Sequence, residues 1–91
     1  MMSENSAEMP RYKCHKEVHA LKIVQIDRYK TSHFTLHFEE GYMPKEIFEA
    51  SAQFLRFANC GPDDFGYYIV YKDGYVSWSP TEAFEEGYTR L

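Results

Sequence analysis

The chain has no glycine-rich phosphate loop, no CxxC pair, no internal repeat and no apolar run that approaches the length of a membrane span. Gly61, Gly66 and Gly74 stand singly as punctuation and offer no backbone cradle for a phosphate. Cysteine is scarce, with Cys14 and Cys60 far apart in sequence. No charged-then-apolar secretory signal is visible. A cytoplasmic chain that keeps both sulfurs as thiols is therefore expected. Acidic residues outnumber basic ones, fourteen to ten, and no basic recognition helix is evident, which argues against duplex nucleic acid as a partner. No motif calls for a cofactor.

What the chain does have is aromatic side chains: eight Tyr, seven Phe and one Trp in 91 residues. A single domain of this size cannot bury so many rings, so some are expected in a surface groove or a subunit contact. The net charge of −4 is also uneven. Between residues 11 and 30, Arg11, Lys13, Lys16, Lys22, Arg28 and Lys30 oppose only Glu17 and Asp27, whereas the chain from residue 31 onward is acidic. A basic segment on an acidic body suits an anion site, electrostatic pairing between subunits in a homo-oligomer, or simply solvated side chains on an exposed strand.

The most legible stretch is Gly66 to Tyr88. Tyr67–Tyr71 has strand composition, and Asp73-Gly74 suits a two-residue type I′ loop. That loop would set Tyr71 opposite Val76, Val70 opposite Ser77 and Ile69 opposite Trp78. Ile69, Tyr71, Val76 and Trp78 would then share a core face, with Tyr68, Val70, Lys72, Tyr75 and Ser77 on the other. Ser79-Pro80-Thr81-Glu82 reads as a capping box opening a short helix, with Ala83 and Phe84 as its apolar contacts and Gly87 at its C′ position.

Further upstream, residues 1–9 read as a disordered tail and residues 10–91 as one domain. Tyr12–Ile26 reads as a strand with a break, placing Val18, Ala20, Val24 and Ile26 on one face and Leu21 and Ile23 on the other. A helix over Glu17–Gln25 is the competing reading. Asp27–Ser32 is expected as a charged turn. His33–Phe38 alternates strictly, with Phe34, Leu36 and Phe38 inward. Glu39-Glu40-Gly41 turns the chain, and Ile47-Phe48 adds a short edge strand. Ser51 is expected to cap a second short helix that buries Phe54, Leu55 and Ala58 and ends at Asn59-Cys60-Gly61-Pro62. The expected architecture is α+β: a small antiparallel sheet of about four strands with two short helices.

Among reactive side chains, Cys14, His15 and His19 cluster without metal-finger spacing. On a strand, His15 and His19 would share a face but stand about 13 Å apart, too far for one ion. His33 and His37 fail in the same way. Cys14 and His15 point to opposite faces of a strand, Cys60 has no neighbouring activator, and no carboxylate pair stands out for acid–base work. Neither a metal centre nor a catalytic residue is assigned, and the reading is non-enzymatic. For binding, Lys13, His15, Lys16 and Lys22 could take phosphates while Tyr68, Tyr75 and Trp78 stack on a base, if the first strand lies beside the hairpin. Trp78 as plain core is the alternative.

Two segments, PRYKCHKEVHALKI and GYYIVYKDGYVSWSPTEAFEEGYTRL, resemble a widespread family of small, mostly uncharacterised proteins of tailed bacteriophages and prophages. The resemblance covers residues 10–26 and about 41–91. It implies a phage protein acting in the host bacterial cytoplasm and brings no assigned reaction. The order DG turn, strand, Trp78, Ser79, helix from Pro80 and closing Tyr88 is also similar to the C-terminal half of small phage proteins that sequester nucleotide signals of bacterial immunity, where a tryptophan usually stands in place of Tyr88. This similarity implies a nucleotide-type small molecule as ligand and an anti-defence role. The alternative is a protein-interaction module docking an aromatic, acidic face on a host or phage protein.

Overall fold

The computed structural model describes residues 9–13, 17–30 and 32–90. Expectations that rest on residues 1–8, Cys14, His15, Lys16, Thr31 and Leu91 lie outside the described residues. Met9, assigned above to the tail, is buried in the larger core.

The fold is α+β, and its axis is a single thirteen-residue strand. In chain order the strands are β1 (Arg11–Lys13), β2 (Glu17–Tyr29), β3 (His33–Phe38), β4 (Lys45–Phe48), β5 (Tyr67–Val70), β6 (Val76–Ser79) and β7 (Thr89–Arg90). The helices are α1 (Phe54–Phe57) and α2 (Thr81–Gly87), and Glu39–Gly41 forms a 3₁₀ turn. All pairings are antiparallel: β2 holds β1 and β5 along its first half and β3 along its second. β4 extends from β3, β6 from β5, and β7 from β1. Seven strands among the described residues exceed the four expected. β7 has two residues, too few to register as alternation, and β1, expected as the start of one broken strand over Tyr12–Ile26, is a separate three-residue strand antiparallel to β2. β2 is a strand throughout, so the helical alternative over Glu17–Gln25 falls.

Two features of β2 depart from simple alternation. The register with β3 shifts between Ile23 and Gln25, leaving Val24 as a bulge. The extra residue reverses the inward parity. Val18 and Ala20 pack in one core, Leu21 and Ile23 in the other, and Ile26 joins the latter. Val24 is left 48% exposed. Ile26 and Val24 are thus separated from the Val18 face to which strict alternation assigned them. The strand also continues through Asp27 to Tyr29, where a charged turn was expected, because Asp27, Arg28 and Tyr29 find partners on β3. The chain turns instead at Lys30, which adopts a positive φ of 58°.

The β5–β6 hairpin is offset by one residue from the expected register: Tyr68 opposes Trp78, Ile69 opposes Ser77 and Val70 opposes Val76. Asp73 keeps a negative φ, so a type I′ loop, which needs both central residues at positive φ, cannot form. Lys72, Asp73 and Gly74 make a three-residue loop closed by Gly74 N–H to Tyr71 O (2.9 Å) and Tyr71 N–H to Tyr75 O (2.8 Å). The Asp73 carboxylate accepts from Tyr75 N–H at 2.9 Å, and Gly74 supplies the positive φ. The shift exchanges the faces. Tyr68, Val70 and Val76, with Trp78 against them, enter the larger core, while Tyr67 and Ile69 turn to the other side.

Every residue of β5 is buried, because the sheet is covered on both faces there. One face packs Leu21, Ile23, Phe34, Leu36, Phe38 and Ile47 against Phe57 and Cys60 of the α1 region. The other packs Val18, Ala20, Tyr67 and Ile69 against Phe84 of α2. Within α1 the buried residue is Phe57, whereas Leu55, expected in the stripe, is 82% exposed. Ser51 does not cap the helix: its hydroxyl is buried and accepts from no N–H among the described residues, and Gln53 stands at the N-cap. At the other end of α1, the Arg28 guanidinium donates to Ala58 O (2.9 Å) and Cys60 O (2.8 Å), tying its C-terminal carbonyls to β2. No described helix is long and apolar enough to cross a membrane.

Candidate functional site: an acidic cleft beside the C-terminal helix

α2 is too short to hold its shape alone, so its two ends and its inner face are fixed by other parts of the chain. Its first amide is capped from a distance. The Asp64 carboxylate accepts from Thr81 N–H (3.1 Å) and from the Thr81 hydroxyl (2.6 Å). These bonds, led by the Thr81 hydroxyl and joined by Gly66 N–H and the charge of Lys22, hold the Asp64 carboxyl below its usual pKa. The capping box expected of Ser79 and Glu82 does not form. Pro80 stands at the N-cap, and the Ser79 hydroxyl donates to Pro80 O instead. At the C-terminal end, Tyr88 N–H returns to Phe84 O at 3.0 Å, with Gly87 still inside the helix. Inward, Phe84 meets the rings of Tyr67 (4.2 Å), Tyr88 (4.4 Å) and Tyr12 (4.8 Å). Ala83, expected as a second apolar contact, is exposed.

The loop preceding β5 is fixed just as tightly. Ile23 N–H donates to Gly66 O and the Trp78 indole N–H to Phe65 O, at 2.9 and 2.7 Å. Gly66 has φ +75°, and a Cβ there would run into Ser79 O and the Trp78 indole nitrogen. This is the close approach that demands glycine.

Between this loop, the Lys22–Val24 segment of β2 and α2 lies an open cleft of about 750 Å³. Its floor is apolar (Ile23, Val24 and Phe65), and its rim carries Asp63, Asp64, Glu82, Glu85 and Glu86 against the single cation Lys22. Two of these carboxylates are engaged. Asp64 caps the helix, and Glu85 accepts from the Tyr67 hydroxyl at 2.7 Å and faces Lys22 Nζ at 3.8 Å. Burial first, and then the Glu85 carboxylate, push the Tyr67 hydroxyl far above its usual pKa, so it remains a donor. Asp63, Glu82 and Glu86 are exposed and meet no cation among the described residues. Glu82 and Glu86 are one helical turn apart, the spacing at which like charges repel.

The residues proposed above to bind a ligand are not brought together. Lys22 lines the cleft, on the α2 side of the sheet. Tyr68 is 7% exposed and belongs to the larger core, so it has no face to stack on a base. Trp78 is half-buried against the same core with its indole N–H engaged. Tyr75 sits exposed in the hairpin loop, under the Arg56 guanidinium, which also donates to its hydroxyl. Lys13 is exposed on β1, opposite Glu17 and Thr89. Of the strand expected over Tyr12–Ile26, the β2 part does lie beside the hairpin, paired with β5, whereas β1, which carries Lys13, adjoins β2 and β7. His15 and Lys16 lie outside the described residues.

Sequence reading missed the cleft because its walls come from three separated segments. The one local signal was the acidic run at Glu82, Glu85 and Glu86. Cys60 is buried, its thiol donates to Phe57 O, and burial pushes its pKa up to about 11, which suppresses the reactive thiolate. No group of three or more His, Cys, Asp or Glu is placed to hold a metal ion among the described residues. Comparison with family models, curated proteins and solved structures returns no match for this chain.

Proposed function

We propose that the chain is a non-enzymatic interaction module that seats a basic, amphipathic segment of a partner protein in the α2 cleft. In the phage setting that the resemblance implies, it would be a small accessory or inhibitory subunit acting on a host or phage protein in the bacterial cytoplasm. The observation that carries this reading is the pairing of an apolar floor with three carboxylates, Asp63, Glu82 and Glu86, that lack a cation among the described residues. A Lys or Arg laid over Glu82 and Glu86 relieves their repulsion, and apolar side chains between the basic ones cover Val24 and Phe65. The same charge makes the cleft a poor seat for phosphate.

A pull-down with the purified chain tests this reading. One stoichiometric partner should be retained at low salt and lost from the Glu82→Lys/Glu86→Lys variant. These two positions are chosen because neither side chain bonds to a described residue, whereas Glu85 holds Tyr67. A partner held equally by the variant would refute the cleft as the docking surface.

The second reading, a nucleotide-type ligand, is favoured by a smaller groove of about 430 Å³ lined by Tyr71, Lys72 and Tyr75 with Glu17 and Asp73. There a base could lie against a tyrosine ring while Lys72 meets a phosphate. A rise in melting temperature with a cyclic oligonucleotide or an ADP-ribose derivative, lost in Tyr75→Ala, would support it. A panel that shifts nothing would remove it.

A further inference from the structure

β4 lies at one end of the sheet, and no described strand lies beyond it. The Glu49 N–H donates to Ser32 O at 2.8 Å, which fixes the phase of the β3–β4 ladder. Hydrogen-bonded and non-hydrogen-bonded pairs alternate along an antiparallel pair. Lys45, Ile47 and Glu49 therefore direct their backbone groups at β3, while Glu46 and the Phe48 N–H point outward; the Phe48 carbonyl already accepts from Ser51 N–H at 2.8 Å. The side chains reinforce this edge. Tyr29, His33 and Phe48 form a stacked ladder across β2, β3 and β4 on the face away from the core, with ring centroids 4.6 and 5.0 Å apart. The ladder stops at Phe48, which is 50% exposed.

We propose that β4 is a dimerisation edge, pairing antiparallel with β4 of a second copy of this chain about a two-fold axis at Ile47. In this register Glu46 of each copy faces Phe48 of the other, so each Phe48 N–H donates to the partner's Glu46 O and each Glu46 N–H shares the partner's Phe48 O with Ser51 N–H. Lys45 of each copy faces Glu49 of the other, giving two opposite-charge pairs related by the axis. The Phe48 rings become diagonal neighbours, within reach of each other, and carry the ladder across the junction. Moving the axis to Glu46 sets that carboxylate against itself. Moving it to Phe48 sets Lys45 against Ser51 and forfeits both ion pairs. Charges on a short edge strand ordinarily repel a foreign strand. Here they are self-complementary in one register, which selects a second copy over an arbitrary partner. The proposal uses no residue of the α2 cleft, so each can fail without the other.

Sedimentation equilibrium on the full chain decides it. The wild type should move from 10.8 kDa towards twice that mass as its concentration rises. Lys45→Glu should weaken the dimer about tenfold, and Lys45→Glu/Glu49→Lys should restore it to within about threefold. Glu46→Pro, which deletes an outward N–H and leaves the β3 ladder intact, should yield a monomer with an unchanged far-ultraviolet spectrum. A wild type that stays monomeric, a dimer indifferent to both Lys45→Glu and Glu46→Pro, or a charge swap that fails to restore association would overturn it.

Discussion

Asp64 and Gly66, two residues apart, decide how the loop before β5 meets α2. Asp64 gives the helix the cap that its own N-terminus lacks, so Asp64→Ala should cost about 1 kcal/mol at neutral pH. The sign of its pH dependence follows from the lowered pKa. The unfolded chain takes up the proton first, so the contribution is complete above the ordinary carboxylate value of 3.8 and is lost as pH falls through the lower folded value. Urea titrations should therefore show the gap between wild type and Asp64→Ala narrowing below about pH 4, and a constant gap would contradict the assignment. Gly66→Ala meets both a positive φ and filled space, and should cost at least about 2 kcal/mol. Gly74→Ala meets positive φ but open space and should cost about 1 kcal/mol. Equal costs in thermal melts would mean that the packing around Gly66 is unimportant.

The elements of this fold hold together by docking, and α2 is the clearest case. Phe84 is its buried residue, 1% exposed, within a cluster of three tyrosine rings. Phe84→Ala should cost about 3–5 kcal/mol in urea unfolding, with the Thr81–Tyr88 amides losing hydrogen-exchange protection first. Retained protection there would show that Asp64 and Tyr88 suffice to hold the helix. Elements with strong local chemistry were readable in the sequence. The alternation of His33–Phe38, the turn at Glu39–Gly41, the edge strand at Ile47-Phe48 and a helix after Pro80 all stand in the fold. The misreadings came where a single backbone choice reverses a whole face. Asp73 declines positive φ and shifts the hairpin by one residue, and the bulge at Val24 moves Ile26 to the other core. The capping of Thr81 by Asp64 was invisible because the two are seventeen residues apart. Likewise, Arg28 looked like part of a basic patch, yet both of its bonds are to carbonyls after α1, thirty residues on.

At the scale of the molecule, the long β2 strand lets one sheet carry two unlike surfaces. Around β5 both faces are covered, and the α2 side ends in the acidic cleft. Towards β4 the outer face carries the aromatic ladder up to the open edge, where the second copy is proposed to join. The basic and acidic portions expected to oppose each other between subunits meet within the chain at Lys22–Glu85, while Arg11 pairs with Glu17 inside the basic portion itself. On the cleft rim Asp63, Glu82 and Glu86 stay without a cation among the described residues, a feature signalled in the sequence only by the acidic run on α2. The most direct test of its role is a ¹⁵N NMR titration of the full chain with a short amphipathic peptide of alternating Lys and Leu, about ten residues long. Shifts should concentrate at Lys22–Val24, Asp63–Phe65 and Thr81–Glu86, weaken as salt shortens the Debye length below about 8 Å, and vanish in Glu82→Lys/Glu86→Lys. A chain that shows no shifts in the cleft, or a variant that binds the peptide as well as the wild type, would contradict the account.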